Sequence, residues 1–265
     1  MARYCPLFSG SEGNCTYIGN ADAGILIDAG VSAKRMEEAM TRRGIDPRRI
    51  TALFVTHEHG DHVLGLKVFA KRYRLPVYAT PGTIAALIDK NYLDPATRCR
   101  EIQPGGPGVE AGGCLVTAFA TPHDSRQSCG YRIATPDGRQ VAVATDMGHM
   151  TDVVRRAITG CDLVHIESNH DLEMLKAGPY PYPLKQRILG SHGHLCNDAC
   201  GAELFGLARG GTTRFVLAHL SRQNNLPDLA YRTARSVLSG NGLLEGADYI
   251  LRVAAPEDAY GVMIF

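Results

Sequence analysis

Residues 51–65 read TALFVTHEHGDHVLG, a stretch in which polar side chains separate two apolar patterns. The run ALFV (52–55) is a short apolar segment, which is typical of a buried strand. Beyond Gly60, apolar residues recur at helical spacing at Val63, Leu66 and Ala70. The sequence therefore predicts a loop between a strand and a helix, and this loop carries His57, His59, Asp61 and His62.

The spacing of these four residues predicts a metal site. Side chains two positions apart in an extended segment point the same way, so His57 and His59 can bind one ion. The turn into the helix lets Asp61 and His62 reach a second ion nearby. Imidazole and carboxylate groups suit zinc, manganese and iron. The alternative is a polar surface turn, but three histidines and an aspartate at this spacing favour the metal site.

Length and composition indicate one globular domain of residues 1–265. The chain is 45% hydrophobic and 21% charged, and its 265 residues favour one large α/β core over two small ones. The formal net charge of +1 argues against tight non-specific binding of nucleic acid, but it does not argue against a local basic groove.

The sequence also predicts a soluble cytoplasmic protein with no membrane partner. The start, MARYCPLFSG, lacks the apolar core of a signal peptide, and no run approaches membrane-spanning length. The eight cysteines form no CxxC motif, and most lie in apolar surroundings, as reduced buried thiols do.

Strand and helix patterns alternate along the chain. Strands are predicted at CTYIG, GILIDAG, LFVTH, PVYAT, LVTAFAT, the hairpin YRIATPDGRQVAVAT, LVHIES, FVLAHLS and the tail 249–265. Helices are predicted at 32–43, 61–73, 82–89, 151–158, 197–208 and 227–238. The segments 104–113 (PGGPGVEAGG) and 178–187 (GPYPYPLKQR) are interpreted as loops. The second either offers Tyr180, Tyr182, Lys185 and Arg187 for base stacking and phosphate contact or is a rigid surface loop. Two strand-rich halves, each followed by helices, predict two sheets face to face with helices outside.

Further candidate ligands follow other predicted strands. His123 comes after LVTAFATP, Asp146 after VAVAT and His219 after RFVLA, while Asp28 ends the run GILIDAG in the same manner. Each of these is weak alone, because a polar residue after a strand is common. Because strand ends converge on one rim of an α/β scaffold, we expect the four to meet the HEHGDH loop there.

HEHGDH with Asp28, His123, Asp146 and His219 resembles the metallo-β-lactamase superfamily along essentially the whole chain. The resemblance implies an α/β fold, the αββα four-layer sandwich, and two divalent metal ions, either zinc or manganese, with iron as an alternative. It implies one ion held by His57, His59 and His123, a second held by Asp61, His62 and His219, and a bridge between both at Asp146. Asp28 would then orient a ligand imidazole, as metal-bound histidines require.

Four shorter motifs resemble the YycJ/WalJ branch of this superfamily, whose members are regarded as nuclease-like. They are FSGSEGNCTYI, HIESNHD, GHLCND and HLSRQNNLP. The chain departs from that branch at Glu12 and Cys196, where serine is usual. Glu12 adds negative charge to a loop that would otherwise suit phosphate.

A carboxylate that bridges two ions about 3.5–4 Å apart suits hydrolysis of a phosphodiester, with Asp61 assisting the attacking water. Glu167 with His170, and His194, resemble the glutamate and histidine with which RNase Z-like relatives protonate the departing alkoxide. A phosphate ester needs such an acid, whereas a thiolate scarcely does. The alternative is that Glu167 and His170 pair with a neighbouring arginine.

Two loops carry candidate substrate contacts. The loop SGSEGN (9–14) is interpreted as a backbone nest for phosphate, which involves Ser9, Ser11 and Asn14, or else as a tight turn. The segment after His219 offers Ser221, Arg222 and Asn224, or else a turn leading to Pro227. Cys196 and Cys200 are interpreted as packing residues rather than ligands, and the role of His192 stays open.

These features together predict a metal-dependent hydrolase that cleaves phosphodiesters. By family resemblance it is a 5′–3′ DNA exonuclease, with nucleic acid, and DNA ends above all, as its substrate. One alternative is a small-molecule esterase, either a cyclic phosphodiesterase or a glyoxalase II-like thioesterase. Another is a non-catalytic regulatory module stabilised by metal. The sequence leaves open the metal, the cleavage polarity, DNA against RNA, and the oligomeric state.

Overall fold

Short apolar runs form the strands of the described chain, which comprises residues 1–257 and 261–265 of a computed structural model. In chain order the strands are β1 Arg3–Phe8, β2 Cys15–Gly19, β3 Gly24–Ile27, β4 Ile50–Phe54, β5 Val77–Ala79, β6 Cys99–Glu101, β7 Val109–Ala111, β8 Cys114–Ala120, β9 Cys129–Ala134, β10 Gln140–Ala144, β11 Leu163–Glu167, β12 Arg214–Ala218, β13 Ile250–Val253 and β14 Met263–Ile264. Most are buried along their length, because both faces of each sheet are covered.

The helices begin at residues suited to capping. The side chains of Ser32, Thr80, Thr151 and Asp171 each accept a hydrogen bond from the first turn of the helix that follows. In chain order the helices are α1 Ala33–Arg42, α2 Gly60–Val63, α3 Leu66–Tyr73, α4 Pro81–Asp89, α5 Asp152–Ile158, α6 Leu172–Ala177, α7 Tyr182–Leu189, α8 Asn197–Arg209 and α9 Pro227–Gly240.

The described strands form two sheets of seven, with the orders β14-β1-β2-β3-β4-β5-β6 and β13-β12-β11-β10-β9-β8-β7. In each sheet, antiparallel pairs lead into a parallel run: β3 to β6 in the first sheet and β10 to β13 in the second. The carboxyl ends of parallel strands share one edge, so the loops after β3, β4, β10, β11 and β12 can meet.

Three apolar clusters define the layers. One lies between the sheets, where Phe54 of the first sheet meets Tyr131 of the second with ring centroids 5.5 Å apart. A second packs the other face of the first sheet against α1 and α3 around Met36 and Phe69. A third packs the second sheet against α5, α8 and α9, and it includes Cys200. This arrangement confirms the predicted αββα sandwich.

The structure corrects three local predictions. The segment 178–187, expected to be a proline-rich loop, contains most of α7, because Pro183 in its first turn is compatible with a helix start. The helix expected at 61–73 is divided into α2 and α3 at Gly65, where a side chain would come within 2.1 Å of the carbonyl oxygen of Val31. The loop expected at 104–113 contains β7.

The tail predicted as one strand contains β13 and β14, and residues 258–260 of that prediction lie outside the described residues. No helix in the described part of the chain is long and apolar enough to span a membrane.

Candidate metal centre

The HEHGDH loop is held in place by the loop that follows β3. Asp28 accepts hydrogen bonds from the backbone N–H of Thr56 at 2.8 Å and from its hydroxyl at 2.9 Å. Gly30 packs so closely that a Cβ there would lie 1.7 Å from the backbone oxygen of Asp61. Two loops from neighbouring parallel strands therefore interlock, and this contact sets the position of the HEHGDH side chains.

Three strand ends share an unusual backbone conformation. Asp28 after β3, Asp146 after β10 and His219 after β12 have positive φ angles of 63°, 58° and 55°. The left-handed region costs energy for residues other than glycine, although aspartate and histidine enter it more readily than most. The backbone turns at each of these three strand ends, and the three side chains belong to one cluster of histidines and carboxylates. Strain of this kind concentrates at functional sites.

His57, His59 and His123 form one group of potential ligands, with their ligand atoms within 4.8 Å of one another. Nε2 of His123 lies 3.2 Å from Nδ1 of His59. His57 is fully buried, and its Nε2 has no hydrogen-bond partner. A buried, unpaired nitrogen directed at two other imidazoles fits a bound cation.

Asp61, His62 and His219 form a second group. Nε2 of His62 and Nε2 of His219 lie 3.4 Å and 3.3 Å from Oδ2 of Asp61. These contacts are long for charge-assisted hydrogen bonds, which measure about 2.7–2.9 Å. They match the roughly 3.3 Å that separates two ligands on a tetrahedral ion with bonds of about 2.0–2.1 Å. The group has the spacing of ligands around one cation.

Asp146 lies between the two groups. Its Oδ2 is 3.3 Å from Nε2 of His62, and its Oδ1 is 3.4 Å from Nε2 of His219 and 3.9 Å from Nε2 of His123. The carboxylate is buried, and Oδ2 has no hydrogen-bond partner. One carboxylate thus contacts histidines of both groups, as a residue that bridges two ions must.

The histidines are oriented through their Nδ1 atoms. A carboxylate or a carbonyl oxygen can only accept, so Nδ1 is the donor where His62 meets Asp28 at 2.8 Å and where His123 meets the carbonyl of Gly193 at 3.1 Å. His219 donates in the same way to Glu167 at 3.1 Å. In the neutral form of each ring Nε2 is therefore the nitrogen without a proton, and it is directed into the cluster, as metal binding requires.

Burial lowers the pKa of His57, His59 and His123, and repulsion from neighbouring imidazoles lowers it further: from His62 at His57, from His123 at His59 and from His194 at His123. The negative charge of Asp146 opposes this shift at His59 and His123. These rings are therefore neutral at pH 7, the form in which imidazole binds metal.

His62 and His219 behave differently, because more carboxylates surround them. Burial alone would lower the pKa of both rings, but Asp146 and Asp61 raise the pKa of His62 well above its usual range. The same carboxylates and Glu167 raise the pKa of His219 to about 10. A divalent cation competes with the protons on these two rings, and its charge would balance the same carboxylates.

Glu167 is completely buried at the end of β11. Its Oε1 accepts hydrogen bonds from Nδ1 of His194 at 2.7 Å and of His219 at 3.1 Å, and its Oε2 accepts from the backbone of Met147 and Leu195. Burial opposes ionisation, but the two histidines lower the pKa of Glu167 on balance. Burial likewise opposes protonation of His194, whose pKa Glu167 and Asp146 raise.

A cavity of about 190 Å³ opens over the cluster. His59, Asp61, Asp146 and His219 line its floor, and His194 lies beside them in its wall. Its walls come from elsewhere in the chain: Ser11, Asn169, Tyr180, Leu184, Arg187, Ile188 and Ser221. Larger cavities lie elsewhere, among them one of about 570 Å³ between α3 and the segment before β6, but they lack this cluster.

Of the predicted substrate contacts, the structure places Ser11 and Ser221 in the cavity wall. Ser9 instead accepts a hydrogen bond from the backbone of His219 at 2.9 Å, and Asn14 lies 3.1 Å from Nε2 of His62. Both are buried and contact predicted metal ligands.

The remaining predicted residues lie away from the cavity wall. Arg222 forms an ion pair with Glu12 at 2.7 Å beside a separate small cavity that also includes Ser11. Asn224 is fully buried, with Nδ2 3.4 Å from the hydroxyl of Ser221. His170 is buried behind the site, where its pKa falls to about 4 chiefly through burial, and its Nδ1 faces Asn169 at 3.3 Å. Asn224 and His170 therefore do not reach the cavity in this conformation.

Sequence reasoning missed several residues near the centre. Asn169 donates to the backbone oxygen of His219 at 2.9 Å, and Asp124 directly follows the predicted ligand His123. Both adjoin residues that the motifs had already identified, which is the signal that could have found them. Leu184 carries no such signal, because only the position of α7 brings it to the cavity.

The sandwich and its His/Asp clusters define a metal-dependent hydrolase. The sequence profile described as the beta-lactamase superfamily domain matches residues 24–220, a range that contains every predicted ligand. The chain therefore belongs to the metallo-β-lactamase superfamily.

Within that superfamily the chain is similar to YycJ and WalJ. It is 34% identical to the exodeoxyribonuclease YycJ of Bacillus anthracis, over 96% of each chain. It is 33% identical to the exodeoxyribonuclease WalJ of Streptococcus pneumoniae, over 97% of this chain and 96% of the relative. The metallo-beta-lactamase fold protein YhfI from Bacillus subtilis superposes over 100% of both chains with a TM-score of 0.73 at 17% identity, which shows the shared fold. These similarities confirm the family and the branch predicted from the motifs.

Proposed function

We propose that this protein is a metal-dependent nuclease that removes nucleotides from DNA ends by cleaving phosphodiester bonds, with 5′–3′ polarity. The observation that carries the proposal is the position of His194. This residue lies in the wall of the cavity beside Asp146, and its ring is held by a hydrogen bond to Glu167. The relatives YycJ and WalJ, named as exodeoxyribonucleases, support the choice of DNA.

We assign the ligands as two sets that share one residue. His57, His59 and His123 hold one divalent ion, Asp61, His62 and His219 hold a second, and Asp146 contacts both sets. The nitrogen and oxygen donors suit zinc or manganese, with iron as an alternative. When bound, such ions supply Lewis acidity to the attacking water and to the phosphate oxygens.

His194 is assigned as the general acid on geometric grounds. Its Nδ1 donates to the buried carboxylate of Glu167, so Nε2 is the nitrogen left to hold a proton at the cavity. That proton can pass to the oxygen that leaves when a phosphodiester is cleaved. A thioester needs no such proton donor, because a thiolate leaves readily. The hydrogen-bonded pair of His194 and Glu167 therefore favours a phosphodiesterase over a glyoxalase II-like thioesterase.

The structural role of Glu167 follows from the same contacts. It is buried and does not line the cavity, so it acts through the two imidazoles that it orients rather than on the substrate. We further propose that residues 1–265 act as a single domain in the cytoplasm, where the cysteine thiols stay reduced.

Direct assay of the metal-loaded protein tests the proposal. DNA duplexes labelled at the 5′ or the 3′ end, bis-p-nitrophenyl phosphate and S-lactoylglutathione are compared under the same conditions. We expect stepwise release of mononucleotides from one DNA end and negligible thioester hydrolysis. Rapid hydrolysis of S-lactoylglutathione without cleavage of DNA would overturn the nuclease assignment in favour of the esterase.

A further inference from the structure

Helix α7, Tyr182–Leu189, presents one face to the cavity over the metal ligands. Leu184, Arg187 and Ile188 follow helical spacing and all line the cavity. Lys185 lies on another face, where its Nζ donates to the backbone oxygen of Lys176 at 2.6 Å. Arg187 is thus the basic side chain that the helix directs toward the centre.

The guanidinium of Arg187 is held in a defined orientation. Its Nε and Nη2 donate to the two carboxylate oxygens of Asp124 at 2.5 Å and 3.0 Å. Asp124 is anchored in turn, since its backbone N–H donates to His192 and its Oδ1 lies 3.4 Å from Nε2 of His123. A bidentate ion pair of this kind restrains an arginine side chain far more than a single hydrogen bond does.

The pair with Asp124 leaves most of the guanidinium available. An arginine has five N–H donors in a rigid fork, and two are used here. Among the described residues, Nη1 has no hydrogen-bond partner. The side chain is 48% exposed, whereas Asp146 on the cavity floor is 3% exposed. Oriented donors therefore lie at the rim of the cavity, outward of the ligand cluster.

We propose that Arg187 binds a phosphodiester that flanks the bond being cleaved, and that it thereby selects a nucleic acid strand over a compact ester. The inference rests on the proposed nuclease function. The bond to be cleaved must reach the buried floor, so a group at the rim meets the next phosphate along the strand. Tyr180 and Leu184, beside Arg187 in the wall, offer an apolar surface to the sugar or base between the two phosphates.

Asp124 is a positioning residue in this proposal. It keeps the guanidinium at the rim, and its own charge is matched by Arg187, so a phosphate that binds Nη1 need not displace it. A small phosphodiester that carries no second phosphate gains nothing from this contact. Arg187 should therefore affect the KM for DNA far more than the turnover of bis-p-nitrophenyl phosphate.

The test removes the same charge contact from the substrate and from the protein. Single-stranded oligonucleotides are prepared with one neutral methylphosphonate at the linkage next to the bond that is cleaved first. In the wild type, this neutral linkage should raise KM by about 10- to 100-fold, as loss of a hydrogen bond between charged groups does. In Arg187→Met the unmodified oligonucleotide should show a similar rise, and the neutral linkage should have little further effect.

The matched control is Arg139→Met. Arg139 is also 48% exposed and also pairs with a carboxylate, that of Asp162 at 2.7 Å, but it precedes β10 at the other end of the sheet from the centre. This variant should behave as the wild type. Arg187→Lys should lie between wild type and Arg187→Met, because it restores charge without the fork.

The outcomes separate the two claims. If the metal-loaded wild type does not cleave DNA, the nuclease assignment fails and this inference falls with it. If the wild type cleaves DNA but Arg187→Met keeps the full sensitivity to the neutral linkage, the nuclease assignment stands and the role of Arg187 is wrong. Circular dichroism and metal content of Arg187→Met show whether any loss comes from misfolding, and Asp124→Asn then gives a second, milder route to the same KM effect.

Discussion

The buried carboxylate of Glu167 lies 2.7 Å from Nδ1 of His194 and holds that ring in the wall of the cavity. The same oxygen also accepts from His219 at 3.1 Å. Glu167 therefore couples a proposed proton donor to a proposed metal ligand. This double contact means that substitutions at Glu167 and at His194 should have different consequences.

Replacing His194 by alanine should leave metal content unchanged and slow DNA cleavage. We expect a loss of about 10²–10⁴-fold, the range ascribed to general acid catalysis. The loss should shrink on bis-p-nitrophenyl phosphate, because nitrophenolate leaves without a proton. Rate constants on both substrates measure the effect, and an equal loss on both would assign His194 a positioning role instead.

Glu167→Gln provides the comparison. It weakens the orientation of both rings, so it should lower metal affinity by about 10–100-fold as well as activity. Competition with a chelator measures the affinity of both variants. Unchanged metal affinity in Glu167→Gln would contradict the link between Glu167 and the ligand His219.

The position of Asp146 predicts the metal stoichiometry. Purified protein should hold about two divalent ions per chain, and Asp146→Ala should lose occupancy at both positions because the carboxylate contacts histidines of both sets. Elemental analysis gives both numbers. One tightly held ion, retained in Asp146→Ala, would be incompatible with a shared ligand.

Asp28 should act on one metal position more than on the other. Its carboxylate accepts a hydrogen bond from Nδ1 of His62 at 2.8 Å. Asp28→Asn should therefore disturb the tautomer of that ring and lower the affinity for the ion held by the His62 set by about 10–100-fold. Calorimetric titration with a metal ion should resolve one site with lowered affinity and one with nearly unchanged affinity. Asp46→Asn, which removes an exposed pair with Arg48, serves as the control. Equal weakening of both sites would mean that Asp28 acts on the whole loop.

The ion pair between Glu12 and Arg222 predicts a dependence of DNA binding on salt. A DNA phosphate that binds Arg222 competes with a carboxylate 2.7 Å from its Nη1. Each neutralised phosphate adds about 0.9 to the log–log salt slope, so Arg222→Ala should lower the slope by about one unit. Glu12→Gln should tighten binding because the competing carboxylate is gone. Binding is measured by fluorescence anisotropy in an Asp61→Asn background, and an unchanged slope in Arg222→Ala would exclude the contact.

Local sequence was sufficient for the centre of the site. The residues of the HEHGDH loop and those that follow β8, β10 and β12 lie at strand ends, and apolar strand patterns are visible in the chain itself. Because parallel strands end at a common edge, their positions along the sequence predicted that these side chains would meet. The resemblance to the metallo-β-lactamase superfamily predicted the αββα sandwich.

Side-chain direction in loops was beyond local patterns. Asn224 and Ser221 are three positions apart in the same segment, yet Ser221 faces the cavity and Asn224 is fully buried. His170 follows Glu167 by three residues and points behind the site. A loop has no period that assigns a side chain to a face, so the contacts of distant segments decide the direction.

The sequence by itself determined which residues gather as the proposed metal ligands, because those residues lie at the ends of strands with a clear apolar pattern. Only the tertiary structure decided what surrounds them. Helix α7, hidden in a proline-rich segment, reaches the cavity because its apolar residues pack there, and Arg187 arrives with it beside Asp124, 63 positions earlier in the chain. Contacts between segments so far apart depend on how whole layers pack, and no local pattern encodes that packing.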